Sequence, residues 1–594
     1  MQHFLYENNE LEQKKLSNTL NRLDNEQWFY LKGEFPLLQS QIKEEEKRFL
    51  LTEEEKMLEA EMEKLRENYR KQNEASQEHF IAARPFYDIK TEIENSSLFK
   101  NVFRKMPKGG LLHIHSSAAL SLESFKKILK EWDGSYPSNS DITKCVGKSI
   151  FVVTEDFPLA EGGSIPKCSL YYLNSIKNMM ATNPTLKEVI QPICNYLLSE
   201  DLWNVLCDML AFCSSRTEKS NYIWDELNLM FIRIDNLFLD KEFYTKYHKC
   251  FFKECVDDNI EYVELRSGYV AFTDMNTSDA ARLGVEHLTV LCSEYSYKKH
   301  FYFKEMLMDL NYDKPEFLDA ILEALDAANE EKKSNLSVKI ILNVRRDLNP
   351  KEEKDNQKII SRLDYAIRYH RDKKNFEKYN QYVIGFDFVS EEDRGRPTSE
   401  YLQYIYGNMS TDIEDIGKQP RINLIDFYLH DGESNWNDNH NILDAVNVSK
   451  YRIGHGFNMG KHPGVVNNLV FTESQSNYAR CFQTTFPFLE ICPISNQLLG
   501  YCSDLRNHYA YVLMKSGVQC VLGNDDPFMF GNSGLSYDFW MAYVGMNLNF
   551  SSIKRLVYNS IVPLDYETST ANTEFDKKWR EFVSTALNQL TSKT

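Results

Sequence analysis

His113 and His115 stand two residues apart in the run MPKGGLLHIHSS. Side chains alternate along a β-strand, so both imidazoles point to one face and can share a metal ion. Three later segments supply groups of the same kind. LHDGE carries His430 with Glu433 three residues on, RIGHGF sets His455 between two glycines, and GNDDP gives the adjacent carboxylates Asp525 and Asp526. Three imidazoles and one carboxylate suit zinc with a water in the remaining position, an arrangement that does hydrolytic chemistry. A structural zinc site would be rich in thiolates, and the twelve cysteines form no CxxC pair. The Asp pair also has a plainer reading as a helix N-cap, which Asp526 before Pro527 fits.

For these groups to meet, strand ends must converge. From residue 101 onward, eight apolar runs of strand length alternate with longer helical patterns. They are Gly110–His115, Ile260–Ser267, Val338–Arg345, Tyr382–Val389, Ile422–Leu429, Tyr451–Gly454, Phe488–Pro493 and Val518–Gly523. Strand–helix alternation argues for a parallel sheet, and eight strands for an α/β fold closed as a (β/α)₈ TIM barrel. His115, Glu392, His430, Glu433, His455 and Asp525 fall at the C-terminal ends of these runs, where such a barrel carries its active site. The gap between the first two runs is too long for one helix, so an insertion is expected after the first strand, at about 135–220.

The chain has 594 residues, 42% hydrophobic, with 69 Lys plus Arg against 87 Asp plus Glu and a formal charge of −18. That length calls for a large domain with additional elements, and the apolar content excludes global disorder. The acidic balance repels phosphate polymers at long range, so no nucleic-acid partner is expected. No run reaches the roughly 18 to 20 apolar residues that span a bilayer, so no membrane partner is expected either. The start, MQHFLYENNELEQKK, lacks the basic, apolar, small-residue order of a secretory leader, which gives the expectation of a cytoplasmic protein with reduced thiols. Between Gln39 and Glu78 there is no Gly or Pro, and Leu51, Met57, Leu58, Met62 and Leu65 recur at helical spacing. Residues 1–100 therefore read as an N-terminal helical extension, lying on its own barrel or pairing with a second copy; a homodimer or higher homo-oligomer is expected. The barrel is assigned 101–575 and a C-terminal tail 576–594.

The set MPKGGLLHIH, HDGE, RIGHGF, CPISNQ, SDLRNH and NDDP resembles the adenosine deaminase family, and over about residues 100–550 its extracellular growth-factor-type branch. The resemblance implies zinc-dependent removal of the 6-amino group of adenine nucleosides or nucleotides as ammonia, with one zinc ion per chain. It implies that His113, His115, His430 and Asp525 hold the metal. Glu433 would protonate the ring N1, His455 would act as base or electrostatic aid towards the attacking water, and Asp526 would hydrogen-bond the ring N7. Other readings are a catalytically weak purine-nucleoside-binding or growth-factor-like protein, and a metal hydrolase of another substrate on the same barrel.

The sequence departs from the family pattern at four places. HDGE has Asp431 where the family usually has Ala, and Ser390 replaces a glycine whose N–H reaches the ring N3. Ser116 replaces an Asp that meets the 5′-hydroxyl, and Arg345 replaces a His. Losing a carboxylate and gaining a guanidinium suits a 5′-phosphate, so AMP and dAMP are expected as substrates beside adenosine and deoxyadenosine. Arg345 could instead pair with Asp347. Trp224 resembles a substrate-contacting Trp of the branch, and Cys145 and Cys168 flank a segment that relatives close with a disulfide; here reduced thiols are expected.

Overall fold

The computed structural model describes residues 50–76, 81–132, parts of 150–172 and of 223–272, 315–409, 419–434, 439–466, 487–561 and 569–592. Its centre is a ring of parallel strands: β1 (Gly109–His115), β2 (Ile260–Ser267), β3 (Ser337–Arg345), β4 (Val383–Val389), β5 (Asp426–Phe427 and His430–Asp431), β6 (Arg452–His455), β7 (Phe488–Ile491) and β8 (Cys520–Leu522). Each pairs with the next in chain order. The ring closes where Ile114 bridges Asp525: Asp525 N–H donates to His113 O (3.2 Å), and His115 N–H to Asp525 O (3.1 Å). The strands are buried on both faces, which is why they read as continuous apolar runs and not as alternating ones.

The fifth strand lies later than Ile422–Leu429. Residues Arg421–Asn423 form a 3-10 turn, and Arg421 is drawn to Asp364 (2.6 Å), so the strand starts at Asp426 and ends on His430 and Asp431. Of the expected insertion, the described residues give two antiparallel pairs, Ile150–Val152 with Leu170–Tyr172 and Phe157–Pro158 with Ser164–Ile165. Cys145 and Cys168 lie outside the described residues. Among those described, Cys250, Cys255, Cys492, Cys502 and Cys520 are free thiols. No helix among the described residues is long and apolar enough to cross a membrane.

Helix α1 (Glu53–Ser76) buries Leu58 and Met62 completely. Its Arg66 donates to the carbonyls of Tyr543 (2.9 Å) and Leu548 (2.8 Å), and Glu55 pairs with Lys554 (2.8 Å). Leu58 and Met62 of its apolar stripe are thus spent on its own barrel, while Met57 is exposed. Helix α2 (Lys241–Asp257) leads into β2, and helix α3 (Ser569–Thr591) runs straight across the boundary expected at 575. Phe575, Trp579, Phe582, Val583 and Ala586 recur at helical spacing and are buried, so residues 576–591 are part of an outer helix and not a tail. Trp579 also donates its Nε1–H to Glu55 (2.7 Å), locking α3 to α1. Trp579→Ala is expected to cost about 3–5 kcal/mol in urea denaturation; a loss below about 1 kcal/mol would contradict this placement.

Candidate metal centre and active site

The ends of β1, β5 and β8 bring His113, His115, His430 and Asp525 together, with one donor atom from each within 4.8 Å of the others. Nδ1 of His113 faces Glu490 Oε2 (2.7 Å), and Nδ1 of His430 faces Asp387 Oδ2 (2.6 Å). Burial raises both carboxyls, but Arg266 and His113 outweigh it at Glu490, and His430 and Arg266 at Asp387, holding each below the usual range. Both acids are therefore acceptors, each imidazole carries its proton on Nδ1, and each turns a bare Nε2 lone pair inward. Nε2 of His115 and of His430 stand 3.0 Å apart. Nε2 of His113 stands 3.4 Å from Asp525 Oδ1 with no hydrogen-bond partner. Two inward lone pairs, the adjacent Nε2 of His115 and the Asp525 carboxylate make a donor set that fits a metal ion. His455, Cys492 and Asp525 form a second close group. Burial pushes the Cys492 thiol well above its ordinary value, which denies that group a thiolate.

Neither Glu490 nor Asp387 was among the sequence candidates. Arg266, fully buried, joins them, donating Nε to Asp387 (2.9 Å) and Nη2 to Glu490 (2.6 Å). Arg452 donates to Glu490 Oε1 (2.8 Å) and pairs with Glu264. The signal was present: FPFLEIC and VIGFDFV each carry one charge inside a strand buried on both faces, and such a charge needs a partner. Gly523 makes room for the first ligand, since a Cβ there would stand 2.5 Å from His113 Cβ.

Around the metal group, three strand ends carry non-glycine residues in the left-handed region: Ser390 (φ 92°), His455 (φ 59°) and Asp525 (φ 57°). Ser390 thus keeps a backbone conformation that favours glycine. Glu433 Oε1 lies 3.5 Å from His455 Nε2. Its loop is clamped by Glu392, which accepts from the N–H groups of Gly432 (2.9 Å) and Ser434 (2.7 Å). Burial, then the charge of Asp525, pushes Glu433 well above the carboxylate range, and the same causes raise Asp526. Asp525 lies below the usual carboxylate range despite its burial. Asp526 precedes the helix Pro527–Phe530 without capping it through its side chain, and its Oδ1 is buried with no partner. His508 accepts from Ala510 N–H at Nδ1 (3.1 Å), so its Nε2–H donates to Asn496 Oδ1 (3.0 Å). The amide of Asn496 then faces Nδ1 of His455 (3.5 Å), leaving the His455 proton on Nε2. Burial holds that imidazole neutral. Asp431 is turned onto Arg346 (2.8 Å) and Thr398 (2.7 Å), as expected of a strand neighbour of His430 facing the other way.

A cavity of ≈ 180 Å³ opens over these groups, and Ser116, Trp224, Arg345, Ser390 and Asp526 all line it. Trp224 spends its Nε1–H on Tyr501 OH (2.8 Å). Arg345 shares its charge with Asp347 (3.2 Å) while reaching the cavity wall. Ser116 meets His248 (2.8 Å).

The adenosine deaminase profile matches residues 265–569, just over half of the chain. The chain belongs to the adenosine deaminase family. It is an aminohydrolase with a metal cofactor and a small purine partner. It is 26% identical to adenosine deaminase 2-A of Danio rerio over 550 residues, 90% of each chain. Against adenosine deaminase 2 of Homo sapiens it is 26% identical over 523 residues, 84% of this chain and 82% of that one. Against adenosine deaminase 2 of Dictyostelium discoideum it is 25% identical over 511 residues, 85% and 78% of the two chains. These relatives overturn the cytoplasmic expectation, because adenosine deaminase 2 proteins are known as secreted. That expectation rested on residue order at the first positions, the lack of a membrane-spanning run and the scattered cysteines, weaker observations than similarity along most of the chain.

Two predictions concern this deaminase's buried imidazoles. Asp387→Asn should loosen the Nδ1 anchor of His430 and weaken metal affinity about 10–100-fold in chelator competition; unchanged affinity would contradict the anchor. His248 is held by burial at about 4, against 6.5 in the unfolded chain. The unfolded state therefore binds the extra proton between those values, and stability falls as pH drops from about 6.5 to 4, by up to about 3 kcal/mol. Denaturation of His248→Phe should lose that part of the acid sensitivity, and an identical pH profile would contradict it.

Proposed function

We propose that this deaminase hydrolyses the 6-amino group of an adenine nucleoside or nucleotide, giving the inosine counterpart and ammonia, with one zinc ion per chain. The observation that carries the reading is geometric: donor atoms of His113, His115, His430 and Asp525 lie within 4.8 Å of one another, and Glu433, His455 and Asp526 line the same cavity. Burial, then the charge of Asp525, raises Glu433 and Asp526 above the carboxylate range, which suits them to give protons. His113, His115, His430 and Asp525 would hold the zinc. Zinc bound there supplies Lewis acidity that makes a water nucleophilic near neutral pH.

Glu433, protonated, gives its proton to ring N1 and draws electron density from C6. Asp526, protonated, donates to ring N7 and fixes the plane of the purine. His455 presents Nε2–H towards Glu433 and Asp525, so it serves the incoming oxygen as a hydrogen-bond donor and not as a base. A C6–O bond forms and the C6–N6 bond breaks; N1 keeps the proton received from Glu433, one proton of the water restores Glu433, and the other leaves on ammonia. Glu433→Gln should lower ammonia release from adenosine, deoxyadenosine, AMP and dAMP by roughly 10³-fold while zinc content stays at the wild-type level. Activity within tenfold of wild type would remove Glu433 from the proton-transfer role.

A further inference from the structure

Residues 430–434 deliver both a metal ligand, His430, and the proton donor of the reading above, Glu433. One carboxylate takes the amides on either side of Glu433. Glu392 accepts Gly432 N–H on Oε1 (2.9 Å) and Ser434 N–H on Oε2 (2.7 Å). A carboxylate that spans two amides in this way fixes the backbone between them, and with it the root of the Glu433 side chain. Gly432 turns the chain in the left-handed region (φ 76°), and a Cβ there would stand 2.7 Å from Asn458 Oδ1.

Glu392 takes a third bond, from Asn441 Nδ2 (2.9 Å). Asn441 opens the helix Asn441–Val448, and its Oδ1 accepts from the N–H of Thr398 (3.0 Å). The Thr398 hydroxyl donates in turn to Asp431 (2.7 Å), which also receives Arg346 (2.8 Å). Asp431 adjoins Gly432, so the path closes on the turn from which it started. Thr398, Asn441, Glu392 and Asp431 are all buried, which keeps bulk water from these bonds. Thr398 donates twice, while Asn441 accepts on one side and donates on the other. Asp431 stands where the family usually has Ala, so the Thr398 hydroxyl meets an acceptor here that a methyl group does not supply.

We propose that Thr398 and Asn441 are positioning residues for Glu433, joining the Arg346–Asp431 pair to the Glu392 clamp so that the turn is held as one body. Neither lines the cavity; each acts through another side chain. The role rests on the deaminase reading, in which Glu433 must meet ring N1. A displacement of about 1 Å at such a group costs roughly 100-fold in rate.

The test measures kcat and KM for adenosine, and zinc content, in Thr398→Val, Thr398→Ser, Asn441→Asp and the double variant of Thr398→Val with Asn441→Asp. Thr398→Val keeps the shape and removes the hydroxyl. It should lower kcat tenfold or more, with KM within threefold and zinc at the wild-type level. Thr398→Ser restores the donor and should return kcat to within threefold of wild type. Asn441→Asp sets a carboxylate against Glu392 and should also lower kcat tenfold or more. Because both residues belong to one closed path, the double variant should lose less than threefold beyond the worse single variant. An unchanged kcat, a loss carried by KM or zinc content, failure of Thr398→Ser to rescue, or losses that multiply would overturn the proposal. Deuterium exchange of residues 430–434 reads the same clamp without chemistry. It should be slow in wild type and Thr398→Ser, and tenfold or more faster in Thr398→Val. Rapid exchange in the wild type overturns the proposal even where a variant does not fold. A wild type that releases no ammonia, with this exchange pattern intact, defeats the deaminase reading and leaves the clamp standing.

Discussion

One guanidinium holds the metal group in its state. Arg266 donates to Asp387 and Glu490 together, and no water reaches any of the three. The shared cation keeps both carboxylates ionised, and the ionised carboxylates draw the protons of His430 and His113 onto Nδ1. Only then do both Nε2 lone pairs face the barrel mouth. Removing one partner from such a buried pair typically costs 3–5 kcal/mol, because the remaining charge stays in the dry interior. Here it would also release the ring tautomers on which metal binding depends.

Barrel closure and ligand delivery use the same bonds. Asp525 exchanges backbone hydrogen bonds with His113 and His115 across the β1–β8 seam, and its carboxylate completes the donor set. Its left-handed backbone, like those of His455 and Ser390, costs of order 1–3 kcal/mol. The surrounding ring over-determines all three. Ser495 Oγ further fixes Asp525 Oδ2 at 2.6 Å. The ring thus holds Asp525 beside Glu433 and Asp526 on one cavity wall, where metal-binding and acid–base groups meet.

The sequence made the donor residues legible because their spacing is local: two imidazoles at a period of two, a His and Glu within one turn, adjacent aspartates. Seven of the eight strands were legible as apolar runs for the same reason. The fifth was misplaced because Ile422, Leu424 and Ile425 extend the apolar run into a turn whose position is set by the distant pair Arg421–Asp364. The C-terminal helix reads as a tail in the sequence because its partners, Glu55 and Phe550, lie hundreds or tens of residues away. Glu490, Asp387 and Arg266 were passed over because their roles exist only across the barrel. The direction in which Asp431 points is likewise set across the barrel, by Arg346. Local pattern reports which atoms are available; the closed ring decides which of them meet.

The central claim is that a cation lies among the ring nitrogens of His113, His115 and His430 and the carboxylate of Asp525. Anomalous diffraction at the zinc edge, on crystals of the zinc-loaded protein, tests it most directly. The account predicts one peak per chain bounded by those four residues. No peak there, or a peak bounded by His455, Cys492 and Asp525 instead, would contradict it.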